Sequence, residues 1–227
     1  MCTGKCAKCI GGSLIPFAVI CMACNAILYF PGWSVEPSQN AGLMLTTEVT
    51  MFLGIIGGGV MVLIPAIQIL SAGKKGCCGN RCGMFLSILS AAIGLCGSLF
   101  CLTMSVVGLM RGPVCEYYAP LEGNITDSTP YPTPSEVLIW GRPLEYRLPE
   151  NNNESYIFHK ESWDKCINPP DVVRFNIVLF SIMLAASSIE VILCAVQLFN
   201  GLFGVICGTC RKKDDDYEED MIKEAKC

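Results

Sequence analysis

The sequence predicts an all-α membrane protein in which four helices cross the bilayer as one bundle, with both termini in the cytosol. Composition, four long apolar runs and the distribution of basic residues lead to this prediction. Of the 227 residues, 52% are hydrophobic and 16% are charged, whereas soluble domains carry roughly 25% charged residues. This deficit excludes an ordinary soluble domain and a disordered chain, and the net charge of -4 argues against a nucleic-acid partner.

The hydrophobic residues are concentrated in four runs, which begin near Ile10, Val49, Met84 and Phe175. A helix needs about 20 apolar residues, with a rise of about 1.5 Å each, to cross the hydrocarbon core of a bilayer. Each run reaches this length, so the sequence predicts four membrane-spanning helices and leaves too little chain for a large soluble domain.

Basic residues indicate which side of the membrane each connecting segment occupies. Segment 31–48 contains no lysine or arginine, whereas segments 1–9, 73–83 and 208–227 contain several. Because short basic segments stay in the cytosol, we expect both termini and segment 73–83 there. In chain order the predicted segments are a cytosolic N-terminus at 1–9, a transmembrane helix at 10–30, a short extracellular loop at 31–48, a transmembrane helix at 49–72, a cysteine-rich cytosolic loop at 73–83, a transmembrane helix at 84–110, a large extracellular loop at 111–173, a transmembrane helix at 174–207 and an acidic cytosolic tail at 208–227.

Two N-glycosylation motifs agree with this topology. Asn124 and Asn153 both begin an N-x-[ST] triplet, and both lie in the large loop predicted to be extracellular. Unmodified surface asparagines are the alternative interpretation. The middle of this loop, residues 120–153, is rich in proline, threonine, serine and asparagine, and we expect an exposed insert without regular structure.

The predicted topology separates the 16 cysteines into two groups. Only Cys115 and Cys166 lie in extracellular segments, one just after the third span and the other shortly before the fourth. Thiols in an oxidising compartment are expected to pair, and this bridge would close a loop of about 50 residues, worth roughly 4 kcal/mol. The alternative is two free buried thiols.

A second group of cysteines lies at the predicted cytosolic rim, where thiols stay reduced. Cysteines beside a membrane span with basic neighbours are typical palmitoylation sites, which is the interpretation we favour. Zinc binding by pairs with ligand spacing, such as Cys6 with Cys9, and unmodified thiols are the alternatives. The palmitoylation candidates are Cys2, Cys6, Cys9, Cys77, Cys78, Cys82, Cys207 and Cys210.

Glu190 is the acidic residue predicted deep within a span. Ser187, Cys194 and Gln197 share its helix face, so the fourth span has a polar stripe that should face the other helices, with Asn25 and Gln68 as possible partners. Intramembrane acids are functional candidates by default, but a hydrogen-bonded glutamate can also hold helices together. We favour helix packing and keep a transport or ion-pathway protein using Glu190 as the alternative.

No pattern in the sequence indicates catalysis. The chain lacks a Walker loop, a G-x-S-x-G elbow and an HExxH motif, and its single histidine, His159, has no catalytic companions. We therefore expect a protein that is not an enzyme and that uses neither cofactor nor metal. Four glycines in the second span, from Gly54 to Gly59, predict close helix packing and a tight bundle rather than a wide pore.

Several motifs together resemble the transmembrane-four L-six family, also called the L-six antigen family, over nearly the whole chain. The motifs are Met1-Cys-Thr-Gly-Lys-Cys-Ala-Lys-Cys9, Gly57-Gly-Gly59 with Pro65, Cys77-Cys-Gly-Asn-Arg-Cys82, Gly112-Pro-Val-Cys115, Trp163-Asp-Lys-Cys166, Glu190-x-x-x-Cys194-x-x-Gln197 and Cys207-Gly-Thr-Cys-Arg-Lys-Lys213. This resemblance implies a tetraspanin-like scaffold that organises integrins, growth-factor receptors and tetraspanins in the plasma membrane, with effects on adhesion, migration and growth. Membrane lipid is the other expected partner. The resemblance is also compatible with a homo-oligomer and with a location in endosomal membranes.

Overall fold

The computed structural model describes residues 3–33, 41–72, 81–120, 136–145 and 155–206. Four of its helices are long and apolar enough to cross a membrane, and they cover Cys6–Leu28, Gly54–Ser71, Phe85–Arg111 and Val172–Phe203. The predicted fold class, an all-α membrane protein with four spans, is confirmed. The helices and strands are α1 (Thr3–Leu28), α2 (Ala41–Met44), α3 (Thr47–Thr50), a π-helical segment (Gly54–Val60), α4 (Met61–Ala72), α5 (Arg81–Arg111), β1 (Cys115–Pro120), β2 (Glu136–Gly141) and α6 (Val172–Ile206), with 3-10 turns at Pro31–Trp33 and Lys160–Lys165.

The four spans pack in a ring. α1 contacts α6 and the second span, and α5 contacts α6 and the second span, so the second and fourth spans lie nearly diagonal to each other. The buried core contains small and aliphatic side chains along the middle of the bundle, including Leu14, Ala66 and Ala91. Bulky apolar side chains such as Phe100 and Phe199 are exposed on the outer surface, as expected for a surface that faces lipid.

The second span is not one uniform α-helix. α3 ends at Thr50, Phe52 has a left-handed backbone with φ of 51°, and the chain continues as a π-helical segment before α4 begins. π-Turns are rare and interrupt the regular hydrogen-bond ladder, and consecutive glycines at 57–59 lower the cost of such a backbone because they have no side chain. The continuous helix expected over 49–72 is therefore interrupted at Phe52 and changes from π-helical to α-helical geometry between Val60 and Met61.

Close helix approach depends on two glycines that face each other. A Cβ atom placed on Gly97 would lie 2.6 Å from the carbonyl oxygen of Gly57, and one on Gly57 would lie 2.9 Å from the carbonyl oxygen of Gly97. Since a real Cβ atom essentially never approaches so closely, the second and third spans touch through their backbones. This geometry agrees with the tight bundle that the glycines of the second span indicate.

The large loop contains a β-strand that the sequence does not predict. Residues 120–153 were expected to lack regular structure, but Glu136–Gly141 forms β2, which pairs antiparallel with β1 so that Tyr118 lies opposite Leu138. The segment contains Val137, Ile139 and Trp140, and β-branched and aromatic residues favour strands. Residues 121–135 and 146–154 lie outside the described part of the chain.

Candidate functional site

The disulfide predicted from topology is present. Cys115 and Cys166 are bonded with their Cα atoms 5.5 Å apart, across a sequence separation of 51. Backbone bonds extend this connection, because the amide of Glu116 donates to the carbonyl of Asn168 at 2.8 Å and that of Ile167 donates to the carbonyl of Glu116 at 2.9 Å. The disulfide therefore ties the start of β1 to the segment before α6. We call this end of the bundle the disulfide end.

Tyr156 joins the large loop to the spans at the disulfide end. Its hydroxyl donates to the carbonyl of Leu109 in α5 at 2.7 Å, and the indole of Trp163 donates to the carbonyl of Tyr156 at 2.9 Å. The ring is buried with Val172 and Val173 at the start of α6. Burial raises the pKa of Tyr156 to about 12, so the phenol stays protonated and available as a donor.

Glu48 forms a buried ion-pair cluster that sequence reasoning missed. Its side chain is 3% exposed, with one carboxylate oxygen 3.0 Å from Arg111 and the other 3.2 Å from Arg142. Burial alone would raise the pKa of Glu48, but a backbone hydrogen bond and the two guanidinium groups outweigh burial and hold the pKa below its usual value. The carboxylate joins α3, the last residue of α5 and the residue after β2. We call Glu48, Arg111 and Arg142 the carboxylate clamp.

Glu48→Gln is expected to lower the free energy of unfolding by about 2 kcal/mol, because the buried carboxylate is lost and the partly buried Arg142 is left without the charge that compensates it. Since the pKa of Glu48 is lowered on folding, its contribution is full above the unfolded pKa and disappears as pH falls through the lower folded pKa. The difference between variant and wild type should therefore shrink below about pH 4.5. Thermal unfolding in detergent at several pH values measures both effects.

The matched control is Glu145→Gln. Glu145 lies 3.8 Å from Arg111, and its side chain is 40% exposed, so this pair is a solvent-exposed one and should contribute less than about 1 kcal/mol. Equal losses from the Glu48 and Glu145 variants would show that the carboxylate clamp has no special role.

The fourth span turns its polar groups toward the other helices. Glu190, Ser187 and Gln197 are all fully buried. The amide of Gln197 donates to the hydroxyl of Ser87 in α5 at 2.7 Å, and the hydroxyl of Ser187 donates to the carbonyl of Met183 at 2.7 Å. The Gln197 bond therefore connects the fourth span to the third, whereas the Ser187 bond stays within the fourth span.

Glu190 lies beside sulfur atoms. The thiols of Cys21, Cys101 and Cys194 are among its neighbours, and its two carboxylate oxygens have no hydrogen-bond partner within the described residues. Gly58 allows this convergence, because a Cβ there would lie 2.9 Å from the sulfur of Cys101 and 3.1 Å from that of Cys21. All four spans thus meet around a carboxyl and thiol cluster.

Neither of the two possible partners is hydrogen-bonded to Glu190 among the described residues. Gln68 accepts a hydrogen bond from Ser90, which joins the second and third spans. Asn25 is 1% exposed, and its amide atoms have no hydrogen-bond partner in the part of the chain that the structure describes. Its Cβ and the methyl of Met183 would each lie 2.6 Å from a Cβ on Gly54, so Asn25 is enclosed where the first, second and fourth spans meet.

Few of the predicted modification sites can be placed. The side chains of Cys6 and Cys9 are exposed near the start of α1, where acyl chains could enter a bilayer. The backbone of Cys82 lies in α5, but its side chain is outside the described part. The other candidates, Cys2, Cys77, Cys78, Cys207 and Cys210, and both glycosylation motifs, at Asn124 and Asn153, lie outside the described residues.

Four apolar spans, a buried polar stripe and a disulfide-closed loop define a multi-pass membrane protein built as a four-helix bundle. Comparison with known proteins identifies its family. Residues 1–211 match the L6 membrane protein family, and the chain belongs to that family. No solved structure matches the chain.

Curated relatives cover nearly the full length. Human transmembrane 4 L6 family member 5 is 40% identical over 220 residues, which are 95% of this chain and 98% of the relative. The bovine member 5 is 39% identical over 218 residues, covering 94% and 97%. Human member 1 is 36% identical over 227 residues, covering 96% and 100%.

Proposed function

We propose that the protein is a non-enzymatic membrane scaffold that organises integrins, receptors or tetraspanins in lateral assemblies and thereby affects adhesion, migration or growth. The observation that carries this proposal is that the polar stripe of the fourth span is buried inside the bundle. Glu190 and Gln197 are fully buried, while large apolar side chains cover the outer surface. A bundle of this kind offers its outer surface to lipid and to neighbouring membrane proteins, since helices associate in lipid through packing. Membership of the L6 family supports the same class of function.

Chemical crosslinking in intact cells, followed by affinity capture and mass spectrometry, tests this proposal. We expect integrins, growth-factor receptors or tetraspanins to be enriched over a capture made with an unrelated four-span protein. A reproducible partner list that lacks all three classes would contradict the scaffold.

The orientation is also proposed. We infer that the disulfide end faces the extracellular side of the plasma membrane, because disulfides form in oxidising compartments and the basic segments lie on the opposite side. Both glycosylation motifs would then be outside. Peptide N-glycosidase should increase the gel mobility of the wild type, and a variant with Asn124→Gln and Asn153→Gln should already migrate at that position. Unchanged mobility of the treated wild type would contradict glycosylation.

We propose palmitoylation at the cytosolic rim. The exposed thiols of Cys6 and Cys9 near the start of the first span support the proposal, since acylated cysteines lie beside spans. A variant with all eight candidate cysteines replaced by serine should lose most acyl-exchange labelling. Cys96→Ser, which removes an exposed thiol from the middle of the third span, should label like the wild type. Equal labelling of the eight-fold variant and wild type would refute the assignment.

The alternative, a transport or ion-pathway protein using Glu190, has weaker support. Glu190 is fully buried, and its carboxylate oxygens have no hydrogen-bond partner among the described residues, whereas a transport path normally links several charged groups or a water-filled cavity. Glu190→Gln preserves the shape of the side chain. We expect this variant to keep the partner list of the wild type, and loss of an ion flux that the wild type carries would favour the alternative.

A further inference from the structure

Phe158 is the most exposed large hydrophobic side chain in the described part of the chain, with 83% of its surface accessible. Single exposed apolar residues are common, but this ring is held in place rather than left on a free segment. The amide of Phe158 donates to the carbonyl of Ser155 at 3.0 Å, and the next amide, of His159, donates to Tyr156 at 3.2 Å. The resulting tight turn presents the ring away from the protein.

The turn lies close to the membrane-spanning region. Tyr156, two residues before Phe158, donates to Leu109 at 2.7 Å, and Leu109 lies within the span Phe85–Arg111. With a rise of about 1.5 Å per residue, Leu109 is only about 3 Å below the last residue of that span. A Cβ on Gly112 would also lie 3.5 Å from the Tyr156 ring. The turn is therefore level with the end of the bundle, where the polar headgroups begin.

The chemistry around Phe158 is that of a membrane interface. Exposed charged residues of both signs follow it: Lys160, Glu161, Asp164 and Lys165. The two lysines can keep apolar stems near lipid while their charges reach polar headgroups. Aromatic side chains are enriched at this depth because their rings are stable at the level of the lipid headgroups, between hydrocarbon and water. Val106 and Met110 are exposed on the last turns of α5, on either side in sequence of Leu109, which accepts the hydrogen bond from Tyr156.

We propose that the turn containing Phe158 is an interfacial anchor, with its ring inserted among the phospholipids at the disulfide end of the bundle. The occupant is lipid because the turn that carries the exposed ring is hydrogen-bonded, through Tyr156, to the last turn of a membrane-spanning helix. The anchor fixes the large loop against the membrane plane, in addition to the disulfide and the Tyr156 hydrogen bond. This inference does not depend on the scaffold role.

Site-specific photocrosslinking tests the anchor. The full chain, with p-benzoylphenylalanine replacing Phe158, is reconstituted into phosphatidylcholine vesicles, irradiated and examined by mass spectrometry for phospholipid adducts. Phe100, exposed within the third span, is the positive control, and Tyr118, an exposed aromatic of β1, is the matched control in the loop. We expect the adduct yield at 158 to approach that at 100 and to exceed that at 118 several-fold.

Two results would overturn the proposal. One is a lipid adduct at position 158 that is no more frequent than at position 118. The other is a predominant crosslink from position 158 to a second protein molecule, which would identify the turn as a protein contact instead. Because Phe158 is exposed, the replacement should not disturb folding, and formation of the Cys115–Cys166 disulfide on non-reducing gels verifies this.

Discussion

Replacing both Cys115 and Cys166 with serine should lower the free energy of unfolding by about 4 kcal/mol. The chain-entropy model gives this magnitude for a closed loop of roughly 50 residues, because the cross-link restricts the unfolded chain. The large loop should also become more sensitive to protease. Without the disulfide, the backbone bonds of Glu116 and Ile167 are left beside this connection, and we expect them to open more often. Limited proteolysis of the large loop and thermal unfolding in detergent measure the two effects.

The control for this variant is Cys96→Ser. Cys96 is a free, exposed cysteine of the third span, so its replacement changes the same chemical group without opening a loop. We expect its unfolding temperature to match that of the wild type. If the double variant were as stable and as protease-resistant as Cys96→Ser, the disulfide would not be what holds the loop to the bundle.

Gly97→Val should be the most damaging single substitution within the spans. A Cβ at this position would lie 2.6 Å from the carbonyl oxygen of Gly57 and 2.7 Å from the Cβ of Met61. These contacts involve backbone and the root of a side chain, so they cannot be relieved by a rotamer change. Overpacking of a buried contact costs roughly 1–3 kcal/mol and occasionally more, and we expect the upper end here. The measurement is the fraction of monodisperse protein after heating, by size-exclusion chromatography.

Gly12→Ala provides the matched glycine control. Gly12 also lies inside a spanning helix, but a Cβ there would have nothing within 4 Å. Alanine is the better helix former by roughly 0.5–1 kcal/mol, so this variant should be as stable as the wild type or more so. Comparable destabilisation of both variants would indicate a general intolerance of glycine replacement and would contradict backbone contact between the second and third spans.

The four spans and the disulfide could be predicted because both follow from local rules. An apolar run of sufficient length predicts a span wherever it occurs, and two thiols on an oxidising side predict a bond once the topology is known. The polar stripe around Glu190 was visible because helical spacing alone places Ser187 and Gln197 on one face. Its contacts were not visible, since Gln197 pairs with Ser87, a residue more than 100 positions earlier in the chain.

The carboxylate clamp shows why the rest could not be predicted. Glu48, Arg111 and Arg142 are far apart in sequence, and the fold of α5 and β2 brings them within ion-pair distance. A weak signal existed, because an acid at the start of one apolar run and an arginine at the end of another can meet at the same membrane surface. β2 was missed for a different reason: the polar, proline-rich composition of residues 120–153 concealed the short segment from Val137 to Trp140.

We infer that this protein acts by lateral association within the membrane. Two-colour single-molecule tracking on living cells tests it most directly, with the tagged protein in one colour and an integrin, receptor or tetraspanin recovered by crosslinking in the other. We predict joint trajectories that persist well beyond random encounters and that do not require Glu190, so Glu190→Gln should behave like the wild type. Trajectories that separate as quickly as those of an unrelated four-span protein would contradict the scaffold function.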